Sequence, residues 1–370
     1  EICLLVGQTL FVTEKRLKLM QTLLHSQQIC TNPFLLNINI ENPKTLNDWL
    51  SIYLDDISKE ITINTFNNYN SYIFRHIVPV LGEYRLTELT APIIKKYILD
   101  KLSNGRIRIT GEEKGLSTKT VKEHFTLLKK ALDKAVEEGE MYYNPCHSIS
   151  FPKQIKPEVH ALEQEEQEKL ESHIHAHFEP NSNLTAKVAL YAGLRNGEVC
   201  ALQIKDIDSK NSMISVSKTL YRTKTASGKT EIIVSKTKNK RQRFVPITKS
   251  LMDDLKTYIA TMPEEMRNNP EQYVFTNQRG NPLEPKRLLC HFKKLLKEAG
   301  LQDIKFHNLR HTFATRCLEC GIDMKIVSKV LGHSTIQITA DLYTHVTNRA
   351  MQNAMSKLIK ENWNNAYQKL

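Results

Sequence analysis

Nowhere in the chain does an uninterrupted apolar run approach the ~18 residues of a membrane-spanning helix. That absence predicts a soluble protein with no membrane partner. Cysteine is scarce, with seven residues, an odd number, scattered at positions 3, 30, 146, 200, 290, 317 and 320. Such scatter excludes a secreted disulfide framework and fits a reducing cytoplasm. Cys317 and Cys320 have CxxC spacing, but a second CxxC is missing, so a buried helix face is expected there rather than zinc. His173, His175 and His177 lack a cysteine or carboxylate partner at metal-ligand spacing, and they follow the acidic run from Glu163 to Glu171. A solvated helix end is the expectation for them. No metal and no cofactor are called for. Glu1 opens the chain with neither an initiator methionine nor the basic region of a signal peptide, as expected where the true N-terminus lies upstream. Internal repeats and low-complexity segments are also missing.

Acidic residues fall short of basic ones, 40 Asp+Glu against 52 Lys+Arg, for a formal net charge of +12. That balance favours a polyanionic partner, with DNA or RNA ahead of an anionic membrane surface. A chain of 370 residues suits two or three domains, each large enough to bury its own core.

Residues 1–43 combine a short apolar opening with a plausible helix from Glu14, then run through Asn32-Pro33 to Pro43. From Thr45 the pattern changes. Leu46, Trp49, Leu50, Tyr53 and Leu54 recur at helical spacing behind a threonine placed to cap the N-terminus. Further amphipathic helices are predicted over 65–77, stopped near Pro79 and Gly82, over 91–102, and over 117–138, stopped at Gly139. Residues 105–115 read as a loop carrying Arg106, Arg108 and Lys114, and 145–157 as an interdomain linker.

Beyond the linker, helices are predicted over 163–178 and 184–192. Gly193-Leu194-Arg195-Asn196-Gly197-Glu198 then interrupts them, which puts Arg195 at a bend. The β signal is confined to 213–219, 231–235 and 243–247, three short strands joined by Lys-rich turns. Helical signals resume over 286–299, 309–320 and 323–331, stopped by Gly300, Gly321 and Gly332. Ser334-Thr335-Ile336-Gln337 has capping-box form and starts another helix, with Tyr343 at or just beyond its end. Residues 349–370 read as a final amphipathic helix.

The densest chemistry lies in the C-terminal quarter, in His307-Asn308-Leu309-Arg310-His311, Leu331-Gly332-His333 and Asp341-Leu342-Tyr343-Thr344-His345. A phosphodiester under attack gains charge on its two non-bridging oxygens, and fixed cationic donors aimed there lower the barrier. Arginine suits that task because its planar fork bonds two oxygens at once and stays protonated. Arg195 and Arg310 are the candidates. His307 and Arg310 share a face if one helix holds both, and His333 follows a glycine stop that projects its ring from a turn. His311 points elsewhere on that helix and reads as structural. Tyr343 can serve as a covalent nucleophile once a base takes its phenolic proton. The leaving sugar alkoxide needs a general acid, for which Lys238, in Ser235-Lys236-Thr237-Lys238-Asn239-Lys240-Arg241, could swing in from a hairpin tip. Lys236 and Lys240 compete for this role, and the remaining cations there, Arg241 among them, would contact phosphates. Glu198, three residues after Arg195, is placed to hold the hydrogen bonds of the site without reacting.

On these residues the chain, from about Thr45 to Val346, resembles the tyrosine recombinase (lambda-integrase) family. Gly193 to Glu198 is similar to the family's first-arginine box, and Lys238, eight residues before Pro246, to its hairpin lysine. His307 to Thr315 is similar to the second box, with Leu331-Gly332-His333 and Tyr343-Thr344-His345-Val346 resembling the last two. The resemblance implies Tyr343 as the nucleophile of a 3′-phosphotyrosyl link, Arg195 and Arg310 as phosphate clamps, and Lys238 as general acid. It gives His307 and His333 proton transfer and phosphate binding, and it needs neither metal nor ATP. His345 joins His311 in a supporting role.

The fold implied is mainly α, with a helical core-binding domain over 44–150 and a linker over 151–158. A mixed α+β catalytic domain with a small three-stranded antiparallel sheet follows over 159–348. Residues 1–43 would be a remnant of an arm-binding domain, and 349–370 a tail packing on a neighbouring protomer. Lys119, Lys122, Lys129 and Lys130 fall on the 117–138 helix as DNA contacts. Double-stranded DNA, a homotetramer on that DNA, an accessory directionality factor, and a bacterial, cytoplasmic, nucleoid-associated setting complete the expectation. Trp49 with its flanking helix, and Gly115 to Thr120, make phage and conjugative-transposon integrases the nearest relatives in pattern. The alternatives are a non-catalytic DNA-binding protein of the same fold and a type IB topoisomerase, against which the Leu-Gly-His box and the compact core-binding segment speak.

Overall fold

Thr45 does what its position predicts. Its hydroxyl accepts the Asp48 N–H at 3.2 Å, and its own N–H donates back to the Asp48 carboxylate at 3.3 Å. That reciprocal cap starts α1 (Leu46–Ile57), which buries Leu46, Trp49, Leu50, Tyr53 and Leu54 along one stripe. The computed structural model describes residues 43–107, 114–151, 161–177, 179–225, 229–236 and 242–343. Between Lys156 and Pro157 the chain divides into two units, each built around its own apolar core.

In the first unit, α2 (Ile63–Tyr72) and α3 (Ala91–Asn104) pack with α1 around α4 (Thr118–Glu137). Ser117 caps α4 by accepting the Thr120 N–H at 3.2 Å. The Trp49 indole N–H reaches the Ala131 carbonyl at 2.7 Å, which satisfies a buried donor and ties α1 to α4. Of the two expected stops, Pro79 does not end the second helix, and Gly82 does. A π-helical turn, Ile73–Ile77, continues α2, and the Val78 N–H bonds back to Ile73 O. That shift places Pro79 in the first turn of Val78–Leu81, where its missing N–H breaks no ladder, and the stop falls at Gly82. The expected linker also begins later than 145, because Pro145–Ser148 is a 3₁₀ turn with Pro145 and Cys146 buried. Asn144 anchors that turn, donating to Lys129 O and to the Asp133 carboxylate, each at 2.8 Å.

The second unit runs α5 (Gln164–Ala176), α6 (Thr185–Ala192) and α7 (Asn196–Cys200) into its strands. These are β1 (Ile207–Asp208), β2 (Met213–Val216), β3 (Lys218–Lys224), β4 (Thr230–Lys236) and β5 (Arg243–Pro246). Helices α8 (Lys249–Ala260), the short α9 (Glu264–Arg267), α10 (Pro285–Glu298), α11 (Phe306–Glu319), α12 (Met324–Leu331) and α13 (Ile336–Tyr343) follow. A three-stranded antiparallel sheet is present in the order β1-β2-β5, with Ile214 opposite Val245 at its buried centre.

Its strands are not the three expected. The 213–219 run breaks at Ser217, and β3 leaves to pair with β4 as a separate hairpin, Lys218 facing Lys236 and Lys224 facing Thr230. Helix α8 was not anticipated, although Thr248 caps it and Leu251, Met252 and Leu255 bury its inner stripe. Among the described residues no helix is long and apolar enough to cross a membrane, and no group of three ligating side chains could hold a metal ion. The expected buried face at the CxxC pair is only partial: Cys317 is half-buried, while Cys320 is exposed at the end of α11. His175 and His177 are exposed at the end of α5, as anticipated, with His173 half-buried and stacked on His177. The segments 1–42 and 344–370 lie outside the described residues.

Candidate active site

Helix α6 ends at Gly193, whose φ of +64° lies in the left-handed region. A Cβ there would fall 2.6 Å from the Phe313 ring and 2.7 Å from Leu331. Only glycine therefore lets the end of α6 close against α11 and α12. Arg310, on α11, reads that closure directly, donating from Nη1 to Gly193 O and from Nη2 to Leu331 O, each at 2.6 Å. Both carbonyls sit at helix C-termini, where the partial negative charge welcomes a cation. At 2% exposure Arg310 is among the largest fully buried side chains. Burial first, then the charge of Arg195, pulls its guanidinium down to about 9, so it remains cationic at neutral pH.

Arg195 begins α7 and bonds Glu198 twice, through its backbone N–H to Oε2 and through Nη1 to Oε1, both at 2.9 Å. Its side chain is 37% exposed and still open to a ligand. Glu198 also receives Arg243, at 2.9 Å from Nη1 and 2.6 Å from Nη2. Burial alone would raise the Glu198 carboxyl, but the bonds and charge of Arg243, and then Arg195, hold it down to about 2. It is an anion at every working pH.

Gly332, again left-handed with φ of +66°, ends α12 and turns the chain into His333. The His333 Nδ1 lies 2.8 Å from the hydroxyl of Thr339, a fully buried residue of α13. Burial, then Arg310 and Arg195, pushes His333 down to about 3. His307 stands in the first turn of α11, and its pKa is lowered by the protein packed around it and then by Arg310 and Arg195. His311 does not point away. Its ring meets His307 edge-on with centroids 4.5 Å apart, and burial pushes it down to about 4. Both His307 and Arg310 lie within α11, which starts earlier than expected, so they do share a face.

Arg195, Glu198, His307, Arg310 and His333 thus form one electrostatically coupled cluster. Helix α13 packs on α11 and α12 and is described as far as Tyr343. Lys238, Lys240 and Arg241, with the side chains of Lys236 and Tyr343, lie outside the described residues. The strands before and after Lys238 in sequence, β4 and β5, belong to different sheets. In the other unit, Lys119, Lys122 and Lys130 are exposed on α4, and Lys129 is half-buried. Sequence reading missed Arg243. Its signal was a charge in alternation with buried Val245, while apolar Phe244 faces out at 59% exposure.

Such a cluster, with two guanidiniums and two imidazoles, has the donors to stabilise the charge of a phosphoryl group. Comparison with known proteins identifies the family. The profile of the phage integrase family matches residues 160–349, and that of the phage integrase N-terminal SAM-like domain matches residues 45–102. A XerC-like tyrosine recombinase of Caldanaerobacter subterraneus is 34% identical over 266 residues, 66% of this chain and 67% of the relative. The ICEBs1 integrase of Bacillus subtilis is 28% identical, covering 84% of this chain and 81% of its own. In fold, the Tn1549 transposon integrase, solved in complex with a circular intermediate DNA, superposes with a TM-score of 0.70 at 21% identity, over 85% of this chain and all of that one. The chain belongs to the phage integrase family. It is a tyrosine-type site-specific recombinase.

Proposed function

We propose that the phenol of Tyr343 attacks a phosphodiester of double-stranded DNA while Arg195 and Arg310 clamp its non-bridging oxygens. The bond from phosphorus to the 5′-oxygen breaks, leaving a 3′-phosphotyrosyl link and a free 5′-hydroxyl. One observation carries this reading. Buried Arg310 ties the end of α6, beside Arg195, to the turn that leads through His333 into α13 and Tyr343. His307 and His333, both beside the two arginines, serve proton transfer and phosphate binding. Lys238 gives a proton to the departing 5′-oxygen. Because the phosphotyrosyl bond conserves the energy of the broken linkage, attack by the 5′-hydroxyl of a second duplex completes strand exchange without ATP.

Recombination of this kind integrates or excises a mobile element. Residues 44–150 serve as the core-binding domain and 159–348 as the catalytic domain, on either side of a linker at 151–158. Lys119, Lys122, Lys129 and Lys130 on α4, with Lys236, Lys240 and Arg241, supply phosphate contacts. Four copies assemble on DNA, each tail after Arg349 packing on its neighbour, with an accessory factor setting direction, at the nucleoid of a bacterial cell.

The general acid is tested with a substrate whose scissile 5′-oxygen is replaced by sulfur, a leaving group that needs no proton. Lys238→Ala should cut the ordinary duplex slowly and recover on the sulfur-bridged one, while Lys236→Ala and Lys240→Ala, as losses of a phosphate contact, should slow both duplexes equally. A Lys238→Ala chain that stays slow on both would remove Lys238 from that role.

A further inference from the structure

Arg243 belongs to no part of the chemistry above, yet it is bonded to two of its parts. Its side chain is 9% exposed and spends three donors inside the protein. Nη1 and Nη2 grip Glu198 at 2.9 and 2.6 Å, and Nε donates to Val330 O, near the end of α12, at 2.8 Å. A Cβ on Gly332 would lie 3.0 Å from Arg243 Cδ and 3.3 Å from Nε, so the arginine packs directly under the turn that presents His333. We propose that Arg243 is a positioning residue for strand cleavage, holding Arg195 through Glu198 and His333 through the Val330–Gly332 turn in one frame.

Charge balance is the first part of the argument. Glu198 bonds both Arg195 and Arg243. With Arg243 in place, the carboxylate is neutralised from behind, and Arg195 keeps its positive charge for a phosphate. Without Arg243, the buried carboxylate keeps Arg195 as its bonded cation among the described residues, and the pair turns inward upon itself. Geometry is the second part. Two parallel bonds to a carboxylate and a third to a carbonyl require a planar fork, which lysine lacks. Arg243 also opens β5, five residues after Lys238, so the same side chain roots the strand that follows the proposed acid.

The inference rests on the clamp role proposed for Arg195, and its test separates the two. Wild-type chain, Arg195→Ala and Arg243→Lys are compared in single-turnover cleavage of a duplex carrying an end of the mobile element. The scissile phosphate is made once as a phosphodiester and once as a methylphosphonate, which has lost the charge that the clamp neutralises. Arg243→Lys should bind the duplex as wild type does and cut the phosphodiester more slowly, by on the order of 100-fold. On the methylphosphonate, that deficit should shrink at least about tenfold, as for Arg195→Ala. The ratio of the two rates on one preparation does not depend on how much of it is folded. Equal slowing on both substrates, no slowing, or loss of the melting transition in Arg243→Lys would overturn the proposal. If Arg195→Ala itself cuts at the wild-type rate, the clamp reading fails instead.

Discussion

Gly193 and Arg310 carry the site at the scale of single residues, one by having no side chain and the other by burying a charged one. Gly193→Ala would force a left-handed backbone and a clash with Phe313 and Leu331. A loss of about 2–4 kcal/mol is expected in a chemical melt, with cleavage falling further than the melt explains because Gly193 O anchors Arg310. Arg310→Ala should abolish cleavage and cost roughly 2–4 kcal/mol, since two buried carbonyls lose their donors. An Arg310→Ala chain as stable as wild type would contradict the anchoring described here. Arg195, Glu198, His307, Arg310 and His333 were legible in the sequence because each sits in a short motif whose order is itself informative. Arg243 was not, because its partners are a carboxylate 45 positions away and a backbone carbonyl, and neither leaves a trace in local pattern. The same holds for Thr339 beneath His333.

At the scale of elements, helices announced themselves where a cap and an apolar stripe coincide, as at Thr45 and Ser117. Errors arose where tertiary packing overrides local rules. Pro79 is absorbed by the π turn before it, and Ser217 divides one β signal between two sheets. Ser117→Ala should cost the first unit about 1 kcal/mol through loss of its cap.

The same unit hides an acid-sensitive pair on two packed helices. His124, fully buried on α4, has its Nδ1 3.1 Å from the Tyr97 hydroxyl and its ring 4.8 Å from that of His76. Burial, then His76 and Lys101, pushes His124 down to about 4, and burial lowers His76 as well. The unfolded imidazole takes its proton first, near pH ~6.5, so stability is full above that value and falls as the pH drops towards that of the folded group. Urea unfolding of the full chain followed by Trp49 fluorescence, with Trp363→Phe to silence the other indole, should show the midpoint falling between pH 7 and 4.5. His124→Gln should flatten that slope, and a midpoint unchanged by pH in the parent chain would contradict the burial of a neutral His124.

For the whole molecule, a formal charge of +12, with the α4 lysines as proposed phosphate contacts, predicts that binding to duplex DNA is driven by counterion release. Affinity should fall steeply and log-linearly with salt, and Lys119→Ala, Lys122→Ala and Lys130→Ala should each reduce that slope by about one. A flat salt dependence would speak against DNA as the partner. Length suited two or three domains, and the chain divides into two units, each with its own core, whereas the division of the described strands between two sheets left no signal in the pattern.

The account converges on the end of α13, and the most direct measurement is of the bond formed there. The full chain is incubated with a nicked duplex carrying an end of its mobile element, denatured in SDS, digested, and the DNA-linked peptide identified by mass spectrometry. The account predicts one adduct, a 3′-phosphoryl group on Tyr343, formed without added metal or ATP and lost in Tyr343→Phe while DNA binding persists. An adduct that survives Tyr343→Phe, or that maps to another residue, would contradict it.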